Sequence, residues 1–465
     1  VNSISIAIRR ILTGGMLAGG LVAGLAQAQS AAPPVPADDG SLTYKGITLY
    51  GIVDLGLQYE SHGAPVSDYF PGGTGDIIQK NGNNSVFGVV PSNLSQSRIG
   101  LKGSEPLPMA GDFSAVFKLE TFFNPQSGEL SDGLKSLTQN NGKALAVQTT
   151  GIDTSVAGQV FQQSYLGISS PTFGTLTFGR HNTLLADGIA KYDPEGASQA
   201  FSVIGISGTT AGGGDTENRR FSNSLKYTAN FSGVHVGAMW KFNQATGGAN
   251  TALEANLGYE IQALSVDAFY TKVNDAVSAG SLSAAQVAEL PTLGYSSNNA
   301  LSGTISDNTS YSLMASYNLG GPKLFAGYEW IQYANPTHGL TAGTETIGGY
   351  VLAFVNNEAF PNNKYLQVYW AGVKYPVATN FDVTAAYYGY HQNAYGTGAN
   401  AGCSTAASGT CAGALNAFSL AGDYRLSKRF DTYAGFMWSG VRDGLANGYL
   451  YKNNWNPTIG LRFQF

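Results

Sequence analysis

Residues Ile459, Gly460, Leu461, Arg462, Phe463, Gln464 and Phe465 alternate without a break, and every odd position is apolar. A strict period of two predicts a strand with one dry face and one wet face. Terminal residues fray unless a sheet holds them, so the alternation running to Phe465 predicts a closing strand tied into a larger sheet.

The same period recurs upstream. From Ile47, the residues Leu49, Gly51, Val53, Leu55, Leu57 and Tyr59 share one face, while Thr48, Asp54, Gln58 and Glu60 share the other. Ile99 and Leu101 oppose Arg98 and Lys102; Phe113, Ala115, Phe117 and Leu119 oppose Ser114, Lys118 and Glu120. Continued along the chain, the count reaches about sixteen strands, many near the ~9–11 residues that a tilted membrane-crossing strand needs. Short turns, as at Phe231-Ser232-Gly233 and Gly320-Gly321-Pro322, alternate with long polar loops at 124–160, 181–219, 273–307, 335–363, 392–414 and 440–454. Short turns on one rim and long loops on the other predict an all-β fold, a transmembrane antiparallel β-barrel.

Composition separates this reading from a soluble β-sandwich or β-helix. Charged residues are 12% of the 465, about half the usual share of roughly 25%, yet mean hydropathy is near zero at -0.06. A sandwich would expose a face rich in Lys and Glu, whereas these polar faces are mixed with Gly, Ser, Thr and Asn. Aromatics gather toward strand ends, as at Tyr328, Trp330, Tyr333, Tyr387, Tyr388, Tyr390, Phe436 and Trp438, which predicts interfacial girdles. A net charge of -5 gives no support to nucleic-acid binding.

Arg9 and Arg10 precede an apolar stretch, Ile11 to Leu25, and then Ala26-Gln27-Ala28, the layout of an export signal over 1–28. The stretch is short for a spanning helix of about 20 residues. Residues 29–46 read as a Pro/Ala/Asp leader, and 47–465 as the barrel. Cys403 and Cys411, close together in one loop of an exported chain, predict a disulfide. The five histidines lack metal-ligand spacing, and neither a nucleophile elbow nor a phosphate loop is present, so no cofactor or enzyme activity is expected.

Several segments together resemble the general diffusion porins of Gram-negative outer membranes. They are Ile47 to Asp54 with Gly56, Ser97-Arg98-Ile99-Gly100-Leu101-Lys102-Gly103, Phe178-Gly179-Arg180, Tyr424 to Arg429, and Gly460 to Phe465. The resemblance implies a sixteen-stranded homotrimer in outer-membrane lipid and lipopolysaccharide, passing small hydrophilic solutes and ions passively. It further implies that the β-barrel assembly machinery reads Phe465. A channel selective for one substrate class is the alternative of the same fold, and an outer-membrane adhesin or enzyme a more distant one.

The resemblance also implies a loop folded into the pore, its acids facing a basic wall. The candidate is 181–219, with Asp187, Asp193 and Glu195 as acids, Pro194-Glu195-Gly196 looking like the family's loop motif in truncated form. Basic candidates are Arg98, Arg180 and Arg220; Lys102 and Lys118 share the inward face by parity. Parity from Leu176 and Phe178 instead puts Arg180 toward lipid, where an arginine costs about 2–4 kcal/mol at mid-bilayer. A bulge near Gly179 is therefore expected.

Overall fold

The computed structural model describes residues 42–70, 84–151, 156, 158–204, 219–243 and 250–465. The expected signal at 1–28 and most of the leader lie outside them. The leader's end, Leu42–Tyr44, turns back through Lys45-Gly46 and pairs with Ile47 to Leu49.

Sixteen antiparallel strands form the wall. They are β1 (Ile47–Glu60), β2 in two halves (Val86–Pro91 and Arg98–Pro106), β3 (Ser114–Asn124), β4 (Gln163–Ser170), β5 (Gly174–Asn182) and β6 (Arg220–Phe231). There follow β7 (Val234–Lys241), β8 (Ala252–Ile261), β9 (Leu264–Gly280), β10 (Ala300–Asn318) and β11 (Lys323–Ala334). The last five are β12 (Lys364–Ala378), β13 (Phe381–Gln392), β14 (Gly413–Arg425), β15 (Phe430–Asp443) and β16 (Thr458–Gln464). Each pairs with its sequence neighbours, and β16 pairs with β1 from Ile52 opposite Gln464 to Gln58 opposite Thr458, closing the ring. Closure leaves no free sheet edge, which is what a wall in lipid requires. No helix among the described residues is long and apolar enough to cross a membrane.

Alternation sorts the faces as expected. Leu57, Leu166, Phe178, Leu257, Leu313 and Leu461 stand exposed on the outer wall, while Asp54, Lys118, Glu120, Glu254 and Asp267 are buried inside. Tyr270, Tyr311, Trp330 and Tyr365 form a ladder across four neighbouring strands, β9 to β12, with ring centroids 5.2, 5.9 and 5.2 Å apart. Three residues expected in such girdles do not join them. Tyr333, Tyr388 and Tyr390 are fully buried inside the barrel, because the long β5–β6 loop covers the inner face there.

That loop, 183–219, enters the barrel through a helix, α2 (Leu184–Tyr192), capped by the Thr183 side chain; α1 (Gly133–Thr138) precedes it in the β3–β4 loop. Leu184, Leu185, Ile189 and Tyr192 pack against Phe269, Met314, Ile331, Trp370 and Tyr388 on the wall. Inward positions that meet the loop on the later strands, such as Met314, Ile331 and Trp370, are apolar for this reason. Burial of each such side chain contributes roughly 1.5–3 kcal/mol, so the loop is held chiefly by its apolar face.

Candidate functional site

Two opposed surfaces define the interior. One is a wall of β1 to β3, where Lys102 and Lys118 are cross-strand partners and Arg98 lies opposite Phe122. Glu120 sits among them. Its carboxylate is 3.3 Å from Lys118 Nζ and 3.7 Å from Arg98 Nε, and it accepts hydrogen bonds from Tyr50 Oη at 2.9 Å and Gln163 Nε2 at 2.8 Å. Tyr50 in turn lies under both lysines, whose Nζ atoms are 5.5 and 5.6 Å from the ring centre. The Arg220 guanidinium stacks over Phe122 at 4.7 Å. Cations on aromatic faces keep their charge while losing part of their water shell.

The other surface is the loop. Asp187, in the first turn of α2, pairs with Lys226 of β6 at 2.5 Å and remains partly exposed. It is within electrostatic reach of Lys118 and Tyr165 on the facing wall.

From the start of α2 onward the loop is laced to the wall around the ring. The Leu184 N–H donates to Glu254 Oε2 at 2.6 Å, and Trp370 Nε1 donates to the Tyr192 carbonyl at 3.0 Å. Gly372 has no side chain where Pro194 presses in; a Cβ there would lie 2.4 Å from Pro194 Cγ. The tip is seated on an inward bulge that divides β2. Ser198 Oγ and the N–H groups of Gln199 and Ala200 all donate to the Asn93 carbonyl, at 2.8, 2.9 and 2.9 Å. Asn456 Nδ2 donates to the Ala200 carbonyl at 2.9 Å. The bulge itself is pinned by Asp54, which accepts from the N–H groups of Leu94 and Ser95 and from Tyr433 Oη.

The sequence candidates divide accordingly. Arg98, Lys102, Lys118 and Arg220 come together on one wall, and Asp187 is on the loop that faces it. Asp193 and Glu195 are in the loop but do not line the lumen, being 2% and 8% exposed. Asp193 accepts from Tyr388 Oη at 2.6 Å and from the N–H groups of Glu195 and Ala197, shaping the Pro194-Glu195-Gly196 turn. Glu195 accepts from Ser419 Oγ at 3.2 Å. These two acids fasten the loop instead of facing the lumen; a polar loop in sequence gives no sign of which side it turns to the wall.

Arg180 sits at a break in the register. The register does shift between Gly179 and His181 against β6, but against β4 the alternation is unbroken, with Gly179 opposite Tyr165 and Arg180 opposite Ser164. The Arg180 guanidinium is partly buried and donates to Ser222 Oγ at 2.7 Å and Gln162 Oε1 at 3.5 Å. His181 is the residue on the Tyr165 side, stacked on that ring at 4.9 Å. The irregularity expected near Gly179 is thus present, with Gly179 of β5 at φ +142° and Asn223 of β6 at φ +52°. Glu120 and Tyr50 are site residues absent from the sequence candidates. The signal for Glu120 lies in parity, two residues from Lys118 on the wet face of β3.

Elsewhere, Cys403 and Cys411 form a disulfide in the β13–β14 loop. Asp215, a further acid that the 181–219 loop carries, lies outside the described residues.

Burial raises the Glu195 carboxyl well above the ordinary range, with the Asp193 charge adding to the shift, and burial raises Asp193 as well. Between the unfolded and folded values the folded state then holds more protons than the unfolded one. Stability therefore falls as pH rises from about 4.3 through the raised value, by up to about 1.4 kcal/mol per pH unit for one such group. Thermal unfolding in detergent across pH 5 to 9 is expected to show this decline, with a shallower slope in Glu195→Gln. An equal slope in that variant would remove Glu195 as its source.

A closed sixteen-stranded antiparallel barrel with a loop folded inside it defines the fold class. The family model described as Gram-negative porin matches residues 15–444, and the chain belongs to that family. Among curated relatives, an outer membrane porin protein of Bordetella pertussis is 29% identical over 230 residues, 49% of this chain and 48% of that protein. Outer membrane porin protein 32 of Delftia acidovorans is 27% identical over 291 residues, 62% of this chain and 64% of that protein. The chain thus spans between about half and two thirds of the length of the curated relatives it matches. Of solved structures, the anion-selective porin from Comamonas acidovorans aligns with TM-score 0.58 at 18% identity, covering 90% of this chain and 99% of its own. OmpT of Vibrio cholerae in its trimer form aligns with TM-score 0.52 at 13% identity, covering 90% and 99%. At such identities the two structures bear on the fold alone.

Proposed function

We propose that the protein is an outer-membrane porin, a water-filled channel through which small hydrophilic solutes and ions diffuse passively. The observation that carries the reading is the basic wall of Lys102, Lys118 and Arg98, with Arg220 on Phe122, set opposite an inward loop bearing Asp187. Unlike charges across a narrow lumen produce a transverse field that orders dipolar solutes and filters ions. Cations predominate on the open side, since Asp193 and Glu195 are turned to the wall, and this supports a preference for anions. The Comamonas acidovorans porin is described as anion-selective, in keeping with that sign.

The outer wall of apolar side chains meets membrane lipid, with lipopolysaccharide around the extracellular rim. The working unit is a homotrimer, exported through a signal at 1–28 that is then removed, and inserted by the β-barrel assembly machinery with Phe465 as its recognised end.

Reversal potential in a salt gradient across a planar bilayer tests the filter. The wild type is expected to favour chloride, and Arg98→Gln to move the potential several millivolts toward cations. No movement would exclude Arg98 from the filter. Saturable block of the current by one solute class would favour the substrate-selective alternative over the general pore.

A further inference from the structure

The β3–β4 loop does not stay above its own strands. Near its root it is bound to the β1–β2 loop: the Asp132 N–H donates to the Tyr69 carbonyl at 2.8 Å, the Thr150 N–H to the Pro65 carbonyl at 3.0 Å, and Lys135 lies 3.9 Å over the Tyr69 ring. Its far end reaches the β9–β10 loop, whose strands stand six places around the ring from β3 and β4. There the Asn141 carboxamide is fully engaged. Its Nδ2 donates to the carbonyls of Ser297 at 2.6 Å and Ala300 at 2.7 Å, and its Oδ1 accepts from the Leu282 N–H at 2.7 Å.

Apolar contacts back these bonds. Leu134 and Leu137 of α1 are buried with Leu301 and Leu352, and Asp132 accepts from Tyr350 Oη at 2.8 Å. Leu352 and Tyr350 belong to Tyr350–Asn356, a strand of the β11–β12 loop that runs parallel to the extended end of β10. A polar surface loop has no need of a buried leucine pair and a three-bonded amide on the opposite side of a barrel. These are the features of a fixed crossing.

We propose that residues 131–151 form a strap across the extracellular mouth that selects solutes by size before they reach the inward loop, with Asn141 as its fastening. The proposal rests on the channel reading above. It places one selective element at the mouth and a second, electrostatic one inside.

Gly142 offers a way to lock the strap. A Cβ built there lies 3.6 Å from Val287 Cβ, within the roughly 3.5–4.5 Å that a disulfide spans. The glycine's φ of +74° adds some strain to a Cys at that position. Gly142→Cys with Val287→Cys, made in a Cys403→Ser, Cys411→Ser background, confines the redox response to the engineered bond.

The test is swelling of liposomes containing the full chain, in a monosaccharide and in a trisaccharide. Asn141→Ala is expected to raise the trisaccharide-to-monosaccharide rate ratio by at least about threefold, while the oxidised lock holds it at or below the wild-type value. Equal ratios for Asn141→Ala and the oxidised lock overturn the strap. If Asn141→Ala does not fold, Asn141→Asp carrying the cysteine pair is compared in its oxidised and reduced forms: a lower trisaccharide-to-monosaccharide ratio when oxidised supports the proposal, and equal ratios overturn it. Failure of every form, wild type included, to admit the monosaccharide faster than protein-free liposomes would overturn the channel reading instead.

Discussion

Removal of Phe465 is expected to abolish most of the folded, membrane-inserted protein in cells while leaving the conductance of the surviving channels unchanged. The residue is joined to Gly51 of β1 in both directions, Gly51 N–H to Phe465 carbonyl at 2.9 Å and Phe465 N–H to Gly51 carbonyl at 3.1 Å. Its ring lies over Gly51, where a Cβ would be 2.4 Å from Phe465 Cζ. Two lost main-chain bonds account for about 1–3 kcal/mol, too little by itself to unfold a closed barrel. A large loss in cells beside a small loss on refolding in detergent would therefore assign the residue's main role to assembly. Gly51→Leu provides the complementary case, since it displaces the ring and keeps the chain end. Normal yield of folded protein without Phe465, scored by heat-modifiable migration, would refute that role.

Glu120→Ala is expected to be the most damaging single substitution on the lumen wall. It leaves Lys118, only 4% exposed, without the carboxylate 3.3 Å away and deprives Tyr50 and Gln163 of their acceptor. Breaking a buried pair from one side costs about 3–5 kcal/mol, which denaturant unfolding in detergent would register. Reversal potential is expected to move further toward anions in the folded fraction, because Arg98 loses its counter-charge at the same time. Glu120→Gln keeps the volume and part of the hydrogen bonding, so its stability loss is smaller and its effect on selectivity persists. Equal stability of the alanine variant and the wild type would mean that Lys118 finds water or another acid once released.

The barrel is legible in the sequence because a wall between lipid and water imposes one rule on every strand, and alternation in β1, β3, β7, β8 and β16 reports it directly. Seam pairing follows from the same rule, as Arg462 and Gln464 turn inward when Ile459, Leu461 and Phe463 face out. The rule weakens where the inward loop replaces water. Tyr388 and Tyr390 look like girdle residues in sequence, yet one binds Asp193 and the other the Val203 carbonyl. Parity places Lys118 and Glu120 on one face, but it cannot say that the carboxylate is enclosed by Tyr50 of β1, reaching across β2. Nor does it foresee a division of β2, since Ser92 to Ser97 leave the wall through a kink with Ser92 at φ +59°.

The seat of the loop tip has a consequence for the order of events in folding. Asn93 comes from the second strand and Asn456 from just before the last, so the two partners of Ala200 are brought together only when β16 has met β1. Phe201, edge-on to Tyr433 of β15, draws on the same late neighbourhood. The narrowing of the lumen is thus complete only in the closed cylinder, and a seated tip is the molecule's own record that the first and last strands have found each other.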